Sequence, residues 1–208
     1  MKKRYLVWTL LLALVLSGCG QKPETQLPAK EEPVAEQPAA ETPAETLPAE
    51  DRNPTAAELG REEKKDLMFM VEGMEEAVPA TLYIGQGYSI YIPDEGWKLE
   101  KDMDDGIPED TWESTVNHDV ELRVLHLGEK TLEETKAWVT AAEDDYGLVE
   151  DKQGGLGGTD PEDQEMMEVR FYPAGNQMYA VLYEYRVEAA EGFGTRLGVI
   201  ADTFEIMK

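Results

Sequence analysis

Prolines at positions 23, 28, 33, 38, 43 and 48 recur with a strict five-residue period, which excludes regular secondary structure from the segment that carries them. Each Pro lacks an amide donor, and its ring disfavours α geometry in the residue before it. Glu, Ala, Gln and Thr dominate between the prolines, and no aromatic residue falls between 20 and 54. Such a chain cannot bury enough apolar surface to offset the entropy of ordering, so residues 20–67 are expected to form a disordered, Pro/Glu-rich tether. At about 3.1 Å per polyproline residue, the stretch 20–54 reaches on the order of 100 Å when fully extended. No Pro-x-x-Pro spacing occurs, which argues against an SH3- or WW-type ligand. From 55 to 74 the period stops, and Ala56, Ala57, Leu59, Leu67, Met68, Met70 and Val71 predict a short helix that joins tether to domain.

Ahead of the tether, Met1-Lys2-Lys3-Arg4 is cationic and residues 5–16 are apolar, a run too short for a bilayer-spanning helix of about 20 residues but suited to an export signal. It ends in Leu16-Ser17-Gly18-Cys19, which resembles the lipobox of bacterial lipoproteins. The resemblance implies that residues 1–19 are a signal peptide with its lipobox, that the Cys19 thiol takes a diacylglycerol, and that Cys19 begins the mature chain. It also implies palmitate-type acylation and a place on the extracytoplasmic side, at the cell membrane or outer membrane, with the membrane as partner through the lipid on Cys19. Cys19 is the chain's one cysteine, so the domain beyond has no disulfide.

Charge narrows the function classes. The chain holds 44 Asp plus Glu against 19 Lys plus Arg, a formal net charge of −25, and 32 of the acids lie beyond residue 66 beside 10 basic residues. Phosphate neutralisation needs clustered cations, so a nucleic-acid partner is excluded. Two His (His118, His126) and three Ser (Ser17, Ser89, Ser114) leave little material for zinc or serine-triad chemistry, and no spacing points to a cofactor.

Residues 68–208 read as one α+β domain. The runs 78–84 (VPATLYI) and 88–93 (YSIYIP), split by Gly85-Gln86-Gly87, predict an antiparallel hairpin. Further strands are expected at 97–100 and 120–127, the latter alternating Val120, Leu122 and Val124 with Glu121 and Arg123. Thr131-Leu132-Glu133-Glu134 fits a capping box that opens a helix ending near Gly147. Residues 166–173 and 177–187 flank Ala174-Gly175-Asn176 as a second hairpin, and Phe193, Leu197, Ile200, Ala201 and Phe204 recur at helical spacing.

Gly87-Tyr88-Ser89-Ile90-Tyr91-Ile92-Pro93 before Gly96-Trp97, the middle helix, the Tyr-rich late strand and the closing Ala201-Asp202-Thr203-Phe204 resemble the PsbP/Mog1/DcrB-type α/β/α sandwich. The resemblance covers most of residues 78–208. It implies an antiparallel sheet with helices packed on its faces and a non-catalytic binding or assembly role, with an envelope protein or glycan as partner. Two other classes compete: a cell-envelope hydrolase using a carboxylate pair, and a small solute-binding lipoprotein, for which the domain is short.

Four candidate sites arise. Residues 102–110 concentrate carboxylates, hard oxygen ligands of the kind Ca²⁺ takes, so Asp102, Asp104, Asp105 and Glu113 form a candidate weak cation site. Gly106 stands fifth rather than sixth in an EF-hand frame and Pro108 interrupts it, so a solvated acidic loop is the preferred reading. Tyr183 and Tyr185, on one face of a predicted strand with Tyr179, form a candidate aromatic ligand surface; core packing is the alternative, and Tyr185, near the strand end, is the more exposed of the two. Residues 154–158 are Gly-rich yet lack the Gly-Lys-Ser/Thr ending of a phosphate loop. Ser114 and His118 stand four apart as a chance pairing without a strained nucleophile turn.

If Cys19 is acylated, labelled fatty acid enters the wild-type chain and the protein partitions with membranes, whereas Cys19→Ala takes no label and stays soluble. Label that persists in Cys19→Ala refutes the lipobox reading.

Overall fold

In the computed structural model, residues 53–207 are described, apart from 72 and 105. The lipobox and proline-period readings therefore lie outside the described residues. The described elements are β1 (Lys64–Val71), β2 (Met74–Ile84), β3 (Tyr88–Pro93), β4 (Trp97–Asp104), β5 (Ile107–Ser114), β6 (Glu121–Gly128), α1 (Leu132–Ala142), β7 (Val149–Glu150), β8 (Leu156–Asp160), β9 (Glu165–Ala174), β10 (Gln177–Arg186), α2 (Thr195–Ala201) and β11 (Glu205–Ile206). They form two sheets, β1-β2-β3-β11 and β4-β5-β6-β10-β9-β8-β7, and every pairing is antiparallel. The fold is thus sheet-rich with few helices. The expectation of one sheet is corrected: the first hairpin sits in a small sheet of its own with β1 and β11.

β10 sits between β6 and β9, and its side chains alternate between two interiors. Tyr179, Val181, Tyr183 and Tyr185 belong to a cluster with Phe69, Ile90, Trp112, Leu122, Leu197, Ile200 and Phe204. Met178, Ala180 and Leu182 belong to a second cluster with Leu125, Met167 and Val169 and with Val139 of α1. A strand buried on both faces loses its polar alternation, which is why YAVLY reads as a continuous apolar run. The capping box opens α1 as its spacing predicts: the Glu134 amide donates to Thr131 Oγ1 at 3.2 Å, and the Thr131 amide donates to Glu134 Oε2 at 2.9 Å.

Three segments depart from the sequence reading. Residues 56–60 form turns, and in place of the predicted joining helix Lys64–Val71 is a strand. Leu67 and Phe69 are buried while Met68 and Met70 between them are exposed, a period of two. The same apolar residues satisfy a helical spacing in isolation, and pairing with β2 decides between the two. The Gly-rich run, weighed in the sequence as a phosphate loop, belongs partly to β8, paired with β9. A Cβ at Gly158 would lie 2.3 Å from the Tyr146 carbonyl oxygen, so the absent side chain is what lets β8 approach the turn after α1. At the C-terminal end, a 3₁₀ turn (Val187–Ala189) and a π turn (Ala190–Gly194) precede α2, and Phe204 follows it, stacked on Tyr88 with ring centroids 5.2 Å apart.

Just ahead of β1 stands Arg61, whose side chain is 7% exposed. One guanidinium nitrogen donates to Ser89 O and Oγ at 3.1 and 2.8 Å, the other to Thr203 O at 2.8 Å, and the group lies 4.6 Å from the Tyr91 ring centroid.

Gly158→Ala forces the Tyr146 backbone aside, and denaturant unfolding is expected to show a loss of about 1–3 kcal/mol, while Gly192→Ala, with open space around its Cβ and no positive φ, loses less. Equal losses refute close approach as the reason for the glycine.

Candidate functional site

The first hairpin positions two tyrosines over the larger sheet. Gly85 and Gly87 make the turn between β2 and β3; Gly87 has φ +83°, and a Cβ there would sit 2.2 Å from the Tyr179 hydroxyl. That hydroxyl instead donates to Gln86 O at 3.1 Å and pins the turn to β10. Tyr83 before the turn and Tyr88 after it then reach β5. Asp110 Oδ2 accepts from the Tyr83 hydroxyl at 2.9 Å and from the Tyr88 hydroxyl at 2.5 Å.

Strand register supplies the rest. Lys101 on β4 and Val124 on β6 lie directly opposite Asp110. The Lys101 ammonium stands 3.6 Å from Asp110 Oδ1 and 5.3 Å from the Tyr83 ring centroid. His126 on β6 stacks on Tyr179 at 4.6 Å, and its Nε2 shares a hydrogen bond with Gln177 Oε1 at 3.0 Å. Gln86, Tyr88, Lys101, Pro108, Glu109, Asp110, Val124 and His126 line a cavity of about 190 Å³. At about 30 Å³ of liquid volume per water, this is room for a handful of waters, or for one polar side chain.

The electrostatics favour donating hydrogen bonds over exchanging protons. Burial first, then the hydrogen bond to Asp110 and its charge, push the Tyr88 hydroxyl far above the ordinary tyrosine value, and burial raises Tyr83 as well. Both phenols stay protonated at any physiological pH. The Lys101 ammonium is raised chiefly by its contact with Tyr83. Asp110 accepts two hydroxyls on one oxygen and faces an ammonium with the other, so it is occupied rather than poised as a base. Glu109, its neighbour on the strand, leaves by the opposite face and accepts from Thr111 Oγ1 at 2.6 Å. The two carboxylates do not converge.

The sequence-derived candidates fall elsewhere. Asp102 and Asp104 are in β4, where the register sets Asp102 opposite Glu109 and Asp104 opposite Ile107, so the stretch is the limb of a hairpin that turns at Gly106 rather than an acidic loop. Asp105 lies outside the described residues. Glu113 is opposite Lys98, six residues along β4 from Asp104, or about 20 Å at strand rise, so the register sets Glu113 well apart from Asp104. Among the described residues no three His, Cys, Asp or Glu side chains are grouped to hold a metal. Tyr183 and Tyr185 are 1% and 3% exposed, which corrects the reading of an aromatic ligand surface. Their hydroxyls both donate to Glu168, at 2.6 and 2.9 Å, and Gly194 packs on the Tyr185 ring, so the strand end expected in solvent is covered by the turns before α2. Ser114 is buried, with Oγ accepting from the Asn117 amide at 3.2 Å, and His118 is exposed. Cys19 lies outside the described residues.

The sequence reading did not bring Tyr83, Tyr88, Lys101, Asp110 and His126 together as one site. One signal was present: reading 102–110 as a hairpin about Gly106 sets Lys101 opposite Asp110.

No protein-family model matches the chain, and no curated protein matches it. Among solved structures, the chain is similar to the solution structure of cyanobacterial PsbP (CyanoP) from Synechocystis sp. PCC 6803, with 14% sequence identity and a TM-score of 0.44 over 62% of this chain and 92% of that one. Among the described residues no helix is long and apolar enough to cross a membrane.

Asp110→Asn removes the charge that two buried hydroxyls address, and is expected to cost about 1–3 kcal/mol in denaturant unfolding and to lower the Tyr88 pKa in a tyrosinate absorbance titration. In the wild type, the folded state keeps protons on Tyr83 and Tyr88 that the unfolded chain releases near the ordinary value of about 10, so stability is lost as pH rises past about 10. An Asp110→Asn titration that matches the wild type refutes the hub.

Proposed function

We propose that this chain is a lipid-anchored extracytoplasmic binding or assembly module, held at a membrane through Cys19 and offering the Asp110 cavity to a partner. The observation that carries this reading is the closed bonding of Asp110: two tyrosine hydroxyls and one ammonium occupy the carboxylate, which leaves donors and a shape for recognition but no free base or nucleophile. The site suits one hydrogen-bonding group the size of a side chain, from an envelope protein or a glycan, presented to Gln86, Lys101 and His126. A PsbP/Mog1/DcrB-type sandwich with helices on both sheet faces is the family reading that residues 87–97 and 201–204 support, and it carries the same non-catalytic role.

The test places a photo-crosslinking residue at Gln86, on the cavity, and at Val149, on the far edge strand, in the full acylated chain in its own envelope. A discrete adduct is expected from position 86 alone, and Lys101→Glu removes it. Hydrolysis of envelope polymer by the purified chain, lost in Asp110→Asn, would replace the binding reading with the hydrolase one.

A further inference from the structure

A second polar arrangement lies on the opposite face of the larger sheet, where α1 packs. The register sets Glu113 of β5, Glu121 of β6 and Glu184 of β10 abreast on adjacent strands. Facing positions on neighbouring strands hold their Cβ atoms roughly 5 Å apart, and like charges so placed repel. One strand step away, Arg123 supplies a positive charge with its side chain only 14% exposed: Nε lies 3.0 Å from Glu121 Oε1 and a terminal nitrogen lies 2.9 Å from Glu143 Oε1. Glu143 is the C-terminal cap of α1, so this ion pair ties the end of the helix to the sheet. Tyr146, in the 3₁₀ turn that follows, donates to Glu165 Oε2 of β9 at 3.5 Å and feels the Glu184 charge, with Glu184 opposite Glu121, the partner of Arg123.

The remaining charges on this face are committed elsewhere. Lys98 of β4, opposite Glu113, bonds Glu100. Glu109 of β5 is held by Thr111. Arg186 of β10 reaches Asp119 at 3.2 Å, Glu188 at 3.3 Å and the Asp163 carbonyl at 3.3 Å. Lys136 of α1 pairs with Glu150 at 3.0 Å. Arg123 is left to answer Glu121 and Glu143 directly, with Glu184 beside them.

We propose that Glu184, with Arg123 and Tyr146, forms a proton-operated latch: a proton on Glu184 lets α1 and its following turn seat on the sheet, and loss of that proton loosens residues 132–146. Burial first, then the neighbouring Glu121 and Glu165 charges, push the Glu184 carboxyl up to about 7, against the opposing influence of Tyr146 and of the Arg123 charge. Glu121 is raised too, chiefly by burial. The sign follows from linkage: the seated state holds the proton more tightly than the loosened one, where Glu184 returns to the ordinary carboxylate value, so seating strengthens as pH falls through 7 and weakens above it. For one proton with these two values, the seating equilibrium changes about tenfold between pH 8 and pH 6.

Hydrogen exchange of the full chain, corrected for the intrinsic pH dependence of exchange, tests the latch. Protection of residues 132–146 is expected to be about tenfold higher at pH 6 than at pH 8, with β2 and β3 unchanged. Glu184→Gln, which carries the neutral form at every pH, is expected to keep that protection at both, and Glu133→Gln, on the exposed first turn, to retain the wild-type response. Equal protection at the two pH values in the wild type, or an unaltered response in Glu184→Gln, overturns the proposal. Should Glu184→Gln not fold, carboxyl carbon shifts of wild-type Glu184 decide: a midpoint near 7 supports the latch and an ordinary carboxylate midpoint overturns it.

Discussion

Burial of β10 on both faces is the constraint on which the rest of the structure depends. Its backbone is shared between β6 and β9, and Ala180 and Val181, consecutive residues whose side chains face opposite ways, are both completely buried. The two interiors can form only if something covers each face. On one side α1 contributes Val139; on the other the small sheet and α2 contribute Ile90, Leu197 and Ile200. A charge at either position would face an apolar interior with no partner, which places this strand at the most sensitive point of the chain.

What the sequence made legible was local. Thr131 and Glu134 cap a helix because a hydroxyl and a carboxylate three residues apart satisfy two orphan amides, and no distant residue alters that geometry. The turns at Gly87 and Gly175 were equally readable, since each joins two runs of strand-forming residues. Legibility failed where a distant partner decides. Lys64–Val71 is a strand because β2 pairs with it, the Gly-rich run enters a sheet because β9 lies beside it, and Tyr185 is covered because the turns before α2 fold over it. The candidate site failed for the same reason. Tyr83, Tyr88, Lys101 and Asp110 come from four strands, and only the cross-strand registers and the fold of the first hairpin over the sheet bring them together.

The acidic composition acquires a structural meaning once the faces are separated. Glu168 takes the hydroxyls of Tyr183 and Tyr185, and Asp110 takes those of Tyr83 and Tyr88. In each case one carboxylate answers two phenols, so an acid-rich, tyrosine-rich chain can bury aromatic rings and satisfy their polar ends with few cations. The arrangement differs on the α1 face, where carboxylates meet one another across strands and a guanidinium, Arg123, answers Glu121 and Glu143. The same residue type therefore stabilises one face of the sheet and makes the other sensitive to protons.

Arg61 has a mechanical meaning. β1 pairs only with β2, and an antiparallel edge strand pulled from its first residue opens one rung at a time. Tension arriving from the N-terminal side meets Arg61 before Lys64. Its guanidinium hands the load to Ser89 on β3 and to the Thr203 carbonyl beside β11, so several strands must give way together instead of one peeling from the edge. If the N-terminal segment acts as the proposed tether, a pull from that end is shared by β3 and the segment beside β11 from the start.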